Sequence, residues 1–283
     1  MLEHCSCFTF WSCHVVYIIG CRLKSQAKSA IISHMSQDFY DKVEKKFGNY
    51  LTSSRRVNEF PNGEPEEIFK AKLLELSGKN KVALDVGCAD GRFTLSMAPN
   101  FKKIIAIDTS KGMLKAAERN KKATKVKNAD FVCQDVHKMG FPEDFFDVIY
   151  DRRGPDDYPL FYKQLKPGGF FLQVDIGEKD TKDLKKVFGR GQNYGKWNIS
   201  ELKKDVEEIE KAGFTIAYAQ DFYYNEYYLS YKDLDIFLQG VPIFEDYDSE
   251  KDGKYLEEYV EKFQTEKGIN LPRHRIVLVA KKG

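Results

Sequence analysis

The sequence predicts an α/β fold, a doubly wound and mostly parallel sheet with a helical segment ahead of it and a cap inserted before the last strand. Three observations predict it. Short, almost continuously apolar stretches such as "KVALDVG", "KKIIAID" and "FFDVIYD" read as strands covered on both faces. Amphipathic stretches of helical spacing alternate with them, as crossover helices between parallel strands would. Glycine-bearing turns punctuate the strands, in "DVGCADG" and "KPGGFF".

Each element follows in order. "SQDFYDKVEKKFGNYL" places Phe39, Val43 and Phe47 four residues apart on one helical face. "SSRRVNEFPNGEP" reads as loop, with Pro-Asn-Gly turn chemistry. "EEIFKAKLLELS" is a second amphipathic helix, and "KVALDVG" the first core strand. "KKIIAID" is a strand, followed by the helix "SKGMLKAAERNKKA" with Ser110 as its N-cap. "ADFVCQD" and "FFDVIYD" are strands. "DDYPLFYKQL" is helical, with Pro159 confined to a first turn or delaying the start. "KPGGFFLQVDI" is a turn and strand, "ISELKKDVEEIEKAG" a helix ended by Gly213, and "FTIAYAQDF" a strand. "RHRIVLVAKK" is the last strand. The expected divisions are a segment 1–34 outside the fold, a helical lid 35–80, a core 81–221, a tyrosine-rich cap 222–272 and a final core strand 273–283.

The 283 residues carry a net charge of +2, and 42% are hydrophobic, enough for one large domain with insertions. Residues 1–34 hold Arg22, Lys24 and Lys28 against Glu3 alone, which leaves the remainder neutral. A neutral body gives no global argument for nucleic acid or an anionic membrane. Four of the six cysteines lie in the first 21 residues. Cys88 and Cys133 alone in the body imply a reducing, cytoplasmic compartment, with no pair at zinc-site spacing and no metal expected. The stretch "CSCFTFWSCHVVYIIGC" is short for a membrane span, and "MLEH" lacks the positive start of a signal peptide. "SHM", Ser33 to Met35, resembles a cloning remnant or a start. Residues 1–34 are therefore read as an upstream extension or leader, with a weak anchor second and metal binding by the cysteines last.

The stretch that carries chemistry is "VALDVGCADGRF", residues 82–93. An acid near a strand end is followed by small residues, so that a ligand can lie against the backbone before the next helix begins. The stretch resembles the first motif of the class I S-adenosylmethionine-dependent methyltransferases, acid-x-Gly-x-Gly-x-Gly. Asp85, Gly87 and Gly91 match it, and Ala89 stands at the middle glycine. The spacing differs from the dinucleotide fingerprint. Asp108 in "IIAIDTSKGML", Asp135 in "FVCQDV" and the turn "QLKPGGFF" match further positions in family order.

The resemblance implies a seven-stranded sheet with an antiparallel last strand, and S-adenosyl-L-methionine as cofactor. It implies that Asp108 takes the ribose hydroxyls, Met113 packs on the adenine ring and Asp135 meets the adenine amino group. Asp85, Gly87, Cys88, Ala89, Gly91, Thr109 and Val136 complete the implied cofactor set, and Tyr150 or Asp151 would meet the methionine part. Beside this stand plainer readings: Asp85, Asp108 and Asp135 as capping or strand-end acids, Cys88 as a small buried residue, His137 as a structural or solvated histidine.

Methyl transfer is an in-line displacement that needs alignment and exclusion of water more than one universal residue. The strand "FFDVIYD" does not end in Asn-Pro-Pro-Tyr, and no Pro-Cys pair occurs, which argues against amino-directed nucleic-acid methylation and cytosine C5 chemistry. It opens instead on "DRRGP". Tyr150, Arg152 and Arg153 are the candidate acceptor-positioning residues, because guanidinium forks suit a carboxylate or phosphate. The alternative is that the arginines hold the loop by pairing with Asp151, Asp156 or Asp157. Tyr40, Tyr50, Arg55, Arg56 and the tyrosines of "DFYYNEYYLSY" would build the acceptor pocket or pack the cap, and "FGRGQNYGKW", residues 188–197, reads as a mobile loop.

The expected partner is a small anionic or aromatic acceptor, for a monomer or homodimer without membrane contact. RNA is second, suggested by Lys102, Lys103, Lys111, Lys115, Arg119, Lys121, Lys122, Lys125 and Lys127. Such a run also suits a solvated helix face. A non-catalytic cofactor-binding module is third.

Overall fold

The computed structural model of the protein describes residues 38–50 and 53–283. The expectations for residues 1–34 lie outside the described residues. The strands are β1 (Arg56–Glu59), β2 (Gly78–Val86), β3 (Phe101–Asp108), β4 (Ala129–Cys133), β5 (Phe146–Arg152), β6 (Leu165–Ile176), β7 (Phe214–Tyr228), β8 (Gln264–Thr265) and β9 (Gly268–Lys282). The helices are α1 (38–47), α2 (Pro65–Leu76), α3 (Arg92–Met97), α4 (Lys111–Thr124), α5 (Tyr158–Gln164), α6 (Lys182–Phe188), α7 (Glu201–Lys211), α8 (Tyr231–Gln239) and α9 (Gly253–Phe263).

The strands form one sheet in the order β1-β7-β9-β6-β5-β2-β3-β4, with β8 paired to β9. Strands β2 to β6 pair in parallel, and β9 inserts antiparallel between β6 and β7. β2–β7 and β9 are the seven implied strands, including the antiparallel last one; β1 and β8 are additions. The chain order reverses beside β2, so the crevice at the carboxyl ends of β2, β3 and β5 is the topological switch point.

Alternation along the strands divides the core. Ala83, Tyr150, Leu172 and Val174 face α2 and α3 through Phe69, Leu73 and Leu95. Leu84, Ile149 and Phe171 face α5 and α7 through Tyr158, Phe161 and Ile209. Ser110 caps α4 as expected, its side chain accepting the Met113 N–H at 3.1 Å. Pro159 sits in the first turn of α5, where its missing donor is harmless.

Two expectations are corrected. "RVNE", read as loop, is an edge strand: Arg56–Glu59 pairs antiparallel with Tyr228–Asn225. Its residues are mostly exposed, so no alternating apolar signal marks it, and the free edge of β7 recruits it. The cap was expected from residue 222, but β7 runs on to Tyr228 and β9 begins at Gly268. The tyrosines of "FYYNEYY" favour extended backbone and pair along β9, so only 229–267 lies outside the two long strands. That cap, with α6, α8 and α9, has its own core around Leu184, Phe188, Leu234, Phe244, Leu256 and Tyr259.

Candidate active site

At the end of β2 the chain turns through left-handed backbone at Gly87, Ala89 and Gly91, with φ of +71°, +47° and +70°. The turn is pinned to β3, since the N–H groups of Gly87 and Cys88 both donate to the Ile107 carbonyl, at 2.9 and 3.0 Å. A side chain at Gly87 would press on the backbone of "DRRGP", its Cβ 3.3 Å from the Gly154 Cα. The two loops therefore touch, and Arg152 and Arg153 stand directly beside the glycine turn. Ala89 bears left-handed strain at the one glycine position of the family pattern that is not glycine here.

Asp108 ends β3 against this turn. Its Oδ2 accepts the Ala89 N–H and its Oδ1 the Ser110 N–H, both at 2.8 Å. Burial raises its pKa, while the backbone N–H groups of Ser110, Ala89 and Thr109 act the other way. Asp135 is held by the His137 N–H at 3.0 Å and Lys138 at 3.2 Å. The His137 ring meets Asp157 at 3.3 Å, the structural reading of that histidine.

Several implied roles are altered. Asp85 is buried, and its Oδ2 receives the hydroxyls of Thr94 at 2.6 Å and Tyr150 at 3.0 Å. Burial pushes its pKa up to about 6 despite both bonds. Through that oxygen it braces the turn from beneath. Tyr150 is removed from the acceptor-facing set, because it is fully buried beside Phe69 and Phe93. Met113 is buried against Phe39 and Val43 of α1. Val136 and Cys88 are buried as well, so they reach a ligand only through backbone.

The arginine pair has a partner that neither alternative named. Glu66, in the first turn of α2, accepts from Arg152 Nη2 at 2.9 Å and Nε at 3.2 Å, and from Arg153 Nη1. Burial pushes the Glu66 pKa up, but Arg153 and Arg152 outweigh it and hold it at about 2. Arg152 also lies over the Phe93 ring, 4.1 Å from its centre. The nearby acids serve elsewhere: Asp157 caps α5 and Asp151 accepts the Gly154 N–H. Glu66 lies 86 residues from Arg152, and no local pattern announces it.

Residues 38–50 cover the crevice. Asp41 accepts from the Ser110 hydroxyl and, at 3.0 Å, from the Gly112 N–H; the Tyr50 N–H donates to Asp90 at 3.0 Å. Arg119 fastens the segment through Glu44 and the Gly48 carbonyl. Tyr40 is close enough for Asp108 and Tyr50 to add to the rise in its pKa that burial causes. Arg55 and Arg56 leave the pocket set, paired instead with Asp233 and Glu226. Tyr223 stacks on His274, and the Tyr227 and Tyr228 hydroxyls bond Glu59 and Glu226, the packing role. The loop 188–197, read as mobile, is tied to the cap by Arg190 with Asp252 and by the Gln192 N–H with Ile243.

Residues 83–169 match a family model described as a methyltransferase domain, spanning the glycine turn, both strand-end acids and "DRRGP". Over that segment the chain is a methyltransferase domain of the class I S-adenosylmethionine-dependent type. Phosphoethanolamine N-methyltransferase 3 of Arabidopsis thaliana is 35% identical over 198 residues, covering 65% of this chain and 39% of that protein. A tRNA/tmRNA (uracil-C(5))-methyltransferase of Sulfurimonas denitrificans is 33% identical over 180 residues, 61% of this chain and 40% of that protein. The chain thus spans about two fifths of the length of these curated relatives. In fold it is similar to a Haemonchus contortus phosphoethanolamine N-methyltransferase 2 solved with S-adenosyl-L-methionine, with a TM-score of 0.52, 18% identity and coverage of 87% of this chain and 59% of that one.

The residues present fit the family's cofactor, S-adenosyl-L-methionine. The turn 87–91 keeps its outer surface bare of bulky side chains, and the half-buried Asp108 carboxylate stands beside it. Among the described residues, no helix is long and apolar enough to cross a membrane.

Proposed function

We propose that the protein transfers a methyl group to a small acceptor bearing an anionic group, by in-line displacement. The observation that carries this reading is the contact between the glycine turn and "DRRGP", which sets two guanidiniums at the crevice. One carboxylate, Glu66, is shared between them, so that acid matches only one of the two guanidinium charges. When bound, S-adenosyl-L-methionine supplies an electrophilic sulfonium methyl. Gly87, Ala89, Asp108, Thr109 and Asp135 would hold it, with Asp85 and Cys88 supporting the turn. Arg153 and Arg152 would orient the acceptor, and residues 38–50 would keep water out. The similarity to phosphoethanolamine N-methyltransferases supports an acceptor of this kind.

Calorimetry tests the cofactor part. Asp108→Ala should weaken S-adenosylhomocysteine binding at least tenfold; unaffected binding would sink the reading. Arg152→Ala and Arg153→Ala should each retain S-adenosylhomocysteine affinity. At least one should lose turnover on the acceptor found by screening metabolite pools and RNA. Full turnover in both variants would remove the arginines from the mechanism.

The second reading, an RNA acceptor, has the uracil methyltransferase relative in its favour. The basic groove formed by Lys121, Lys122, Lys125 and Lys127 lies at the C-terminal end of α4, where the chain enters β4. That is the amino end of the parallel strands, the end opposite the glycine turn, and Asp130 already pairs with Lys103 and Lys121. RNA following this groove would run away from the crevice, which leaves the small acceptor as the better fit.

A further inference from the structure

On the face that carries α5 and α7, the carboxyl ends of β5 and β6 gather four carboxylates. Asp151 and Gln173 are register partners across the two strands. Asp175 lies two residues beyond Gln173, so strand alternation puts all three side chains on one face. Gln173 donates to Asp205 of α7 at 2.9 Å and accepts the Tyr158 hydroxyl at 3.2 Å. Asp156 stands in the turn between β5 and α5, close enough to act on Asp151, as Asp175 and Asp205 act on Asp156. The neighbouring cations are committed elsewhere: Lys204 to Glu201 at 3.3 Å, Arg275 to Asp180 at 2.6 Å, Arg153 to Glu66.

A second observation points to a ligand. Asp151 is 1% exposed, and while its Oδ1 accepts the Gly154 N–H, its buried Oδ2 has no hydrogen-bond partner. A buried carboxylate oxygen without a donor is costly and calls for one. Asp156 and Asp175 are only half-buried, so the cluster is not sealed from solvent. Burial, followed by mutual repulsion, raises the pKa of Asp151, Asp156 and Asp205, and burial raises that of Asp175 to about 6.

Among the described residues, the one set of three or more acid, histidine or cysteine ligand atoms within 4.8 Å of one another is Glu178, Asp221 and His274. There Nδ1 of His274 accepts the Lys179 N–H at 3.2 Å and Nε2 meets Asp221 at 2.8 Å, so both ring nitrogens are engaged. The carboxylates at the ends of β5 and β6 are not a set of this kind. An ammonium, with several N–H donors, supplies what the orphan oxygen of Asp151 lacks.

We propose that Asp151, Asp156 and Asp175 form a subsite for the ammonium group of the acceptor, whose nitrogen is the atom methylated. This rests on the methyltransferase reading above. In the step, a carboxylate of the cluster takes a proton from the ammonium. The freed lone pair forms the N–C bond, and the electrons of the breaking S–C bond stay on sulfur. The acceptor is then an amine that also carries an acid group, with the guanidiniums and the carboxylates reading its two ends.

The test is calorimetry on protein loaded with S-adenosylhomocysteine, using phosphoethanolamine, ethanolamine and ethyl phosphate as probes. Phosphoethanolamine should bind at least tenfold more tightly than ethyl phosphate. Asp156→Asn and Asp175→Asn should each cut that preference at least threefold, with S-adenosylhomocysteine affinity unchanged as the sign of an intact fold. No amine binding, or a preference that survives both substitutions, overturns the subsite alone. Weakened S-adenosylhomocysteine binding with the preference intact also overturns it, since the carboxylates would then hold the cofactor's own ammonium. Failure of the unsubstituted protein to bind S-adenosylhomocysteine overturns the methyltransferase reading itself.

Discussion

Asp180→Ala should destabilise the fold by about 3–5 kcal/mol, the range for stripping one partner from a buried ion pair. Asp180 is buried; its Oδ1 accepts from Arg273 at 2.9 Å and the His274 N–H at 3.0 Å, and forms an ion pair with Arg275 at 2.6 Å. Arg273 continues to Glu226, which pairs with Arg56 of β1, so one acid anchors β9, the end of β7 and the added edge strand. Removing it leaves two desolvated guanidiniums with one carboxylate between them. Urea denaturation followed by circular dichroism measures the loss, and a change under 1 kcal/mol would refute the argument.

The same acid sets a pH dependence. Burial pushes the Asp180 pKa up, but Arg273 and Arg275 outweigh it and hold it well below the usual carboxylate range. A carboxylate depressed in the folded state contributes stability above its unfolded pKa, about 3.9 for aspartate, and loses it as pH falls. Glu66, held at about 2, acts in the same direction. The unsubstituted protein should therefore lose stability steeply between about pH 4.5 and 2, and Asp180→Ala should lose it less steeply.

Gly91→Ala should cost about 2–5 kcal/mol and weaken S-adenosylhomocysteine binding more than tenfold. A Cβ there would lie 2.4 Å from the Phe131 ring and 2.9 Å from the Ala117 side chain, with φ at +70°. Phe131 belongs to β4 and Ala117 to α4, so relief requires moving the turn away from both. Ala89→Gly is the control. Its φ of +47° suits glycine better than alanine, so stability should hold or rise slightly. Thermal melting and calorimetry on the two variants separate a crowded turn from a generally fragile one.

The central strands of the parallel core were legible because they are apolar on both faces, and the helices between them because their apolar residues recur at helical spacing. β1 was not legible. Its four residues show no alternation, and they are extended because β7 offers an unpaired edge. The end of β7 was misread as cap because a tyrosine-rich, acidic stretch resembles an insertion until the seven register pairs of Phe222–Tyr228 with β9 are seen. The glycine turn and Asp108 were legible from type and spacing, since backbone approach requires small residues at fixed intervals. Tyr150 was misplaced, because spacing gives a residue's position along the chain and not which face its side chain takes.

What the sequence determined by itself is the order of parallel strands and crossover helices, and the turn that opens at the switch point. These follow from local periodicity and from the steric demands of Gly87 and Gly91, which act over a few residues. What only the tertiary structure decided is the company each charge keeps. Glu66 meets Arg152 and Arg153 across 86 and 87 positions, and Asp180 meets Arg273 across 93. Asp151 is left with a buried oxygen that nothing in the described chain satisfies. Electrostatic partners are chosen by distance and burial in space, and residues far apart in sequence carry no local pattern that reports either.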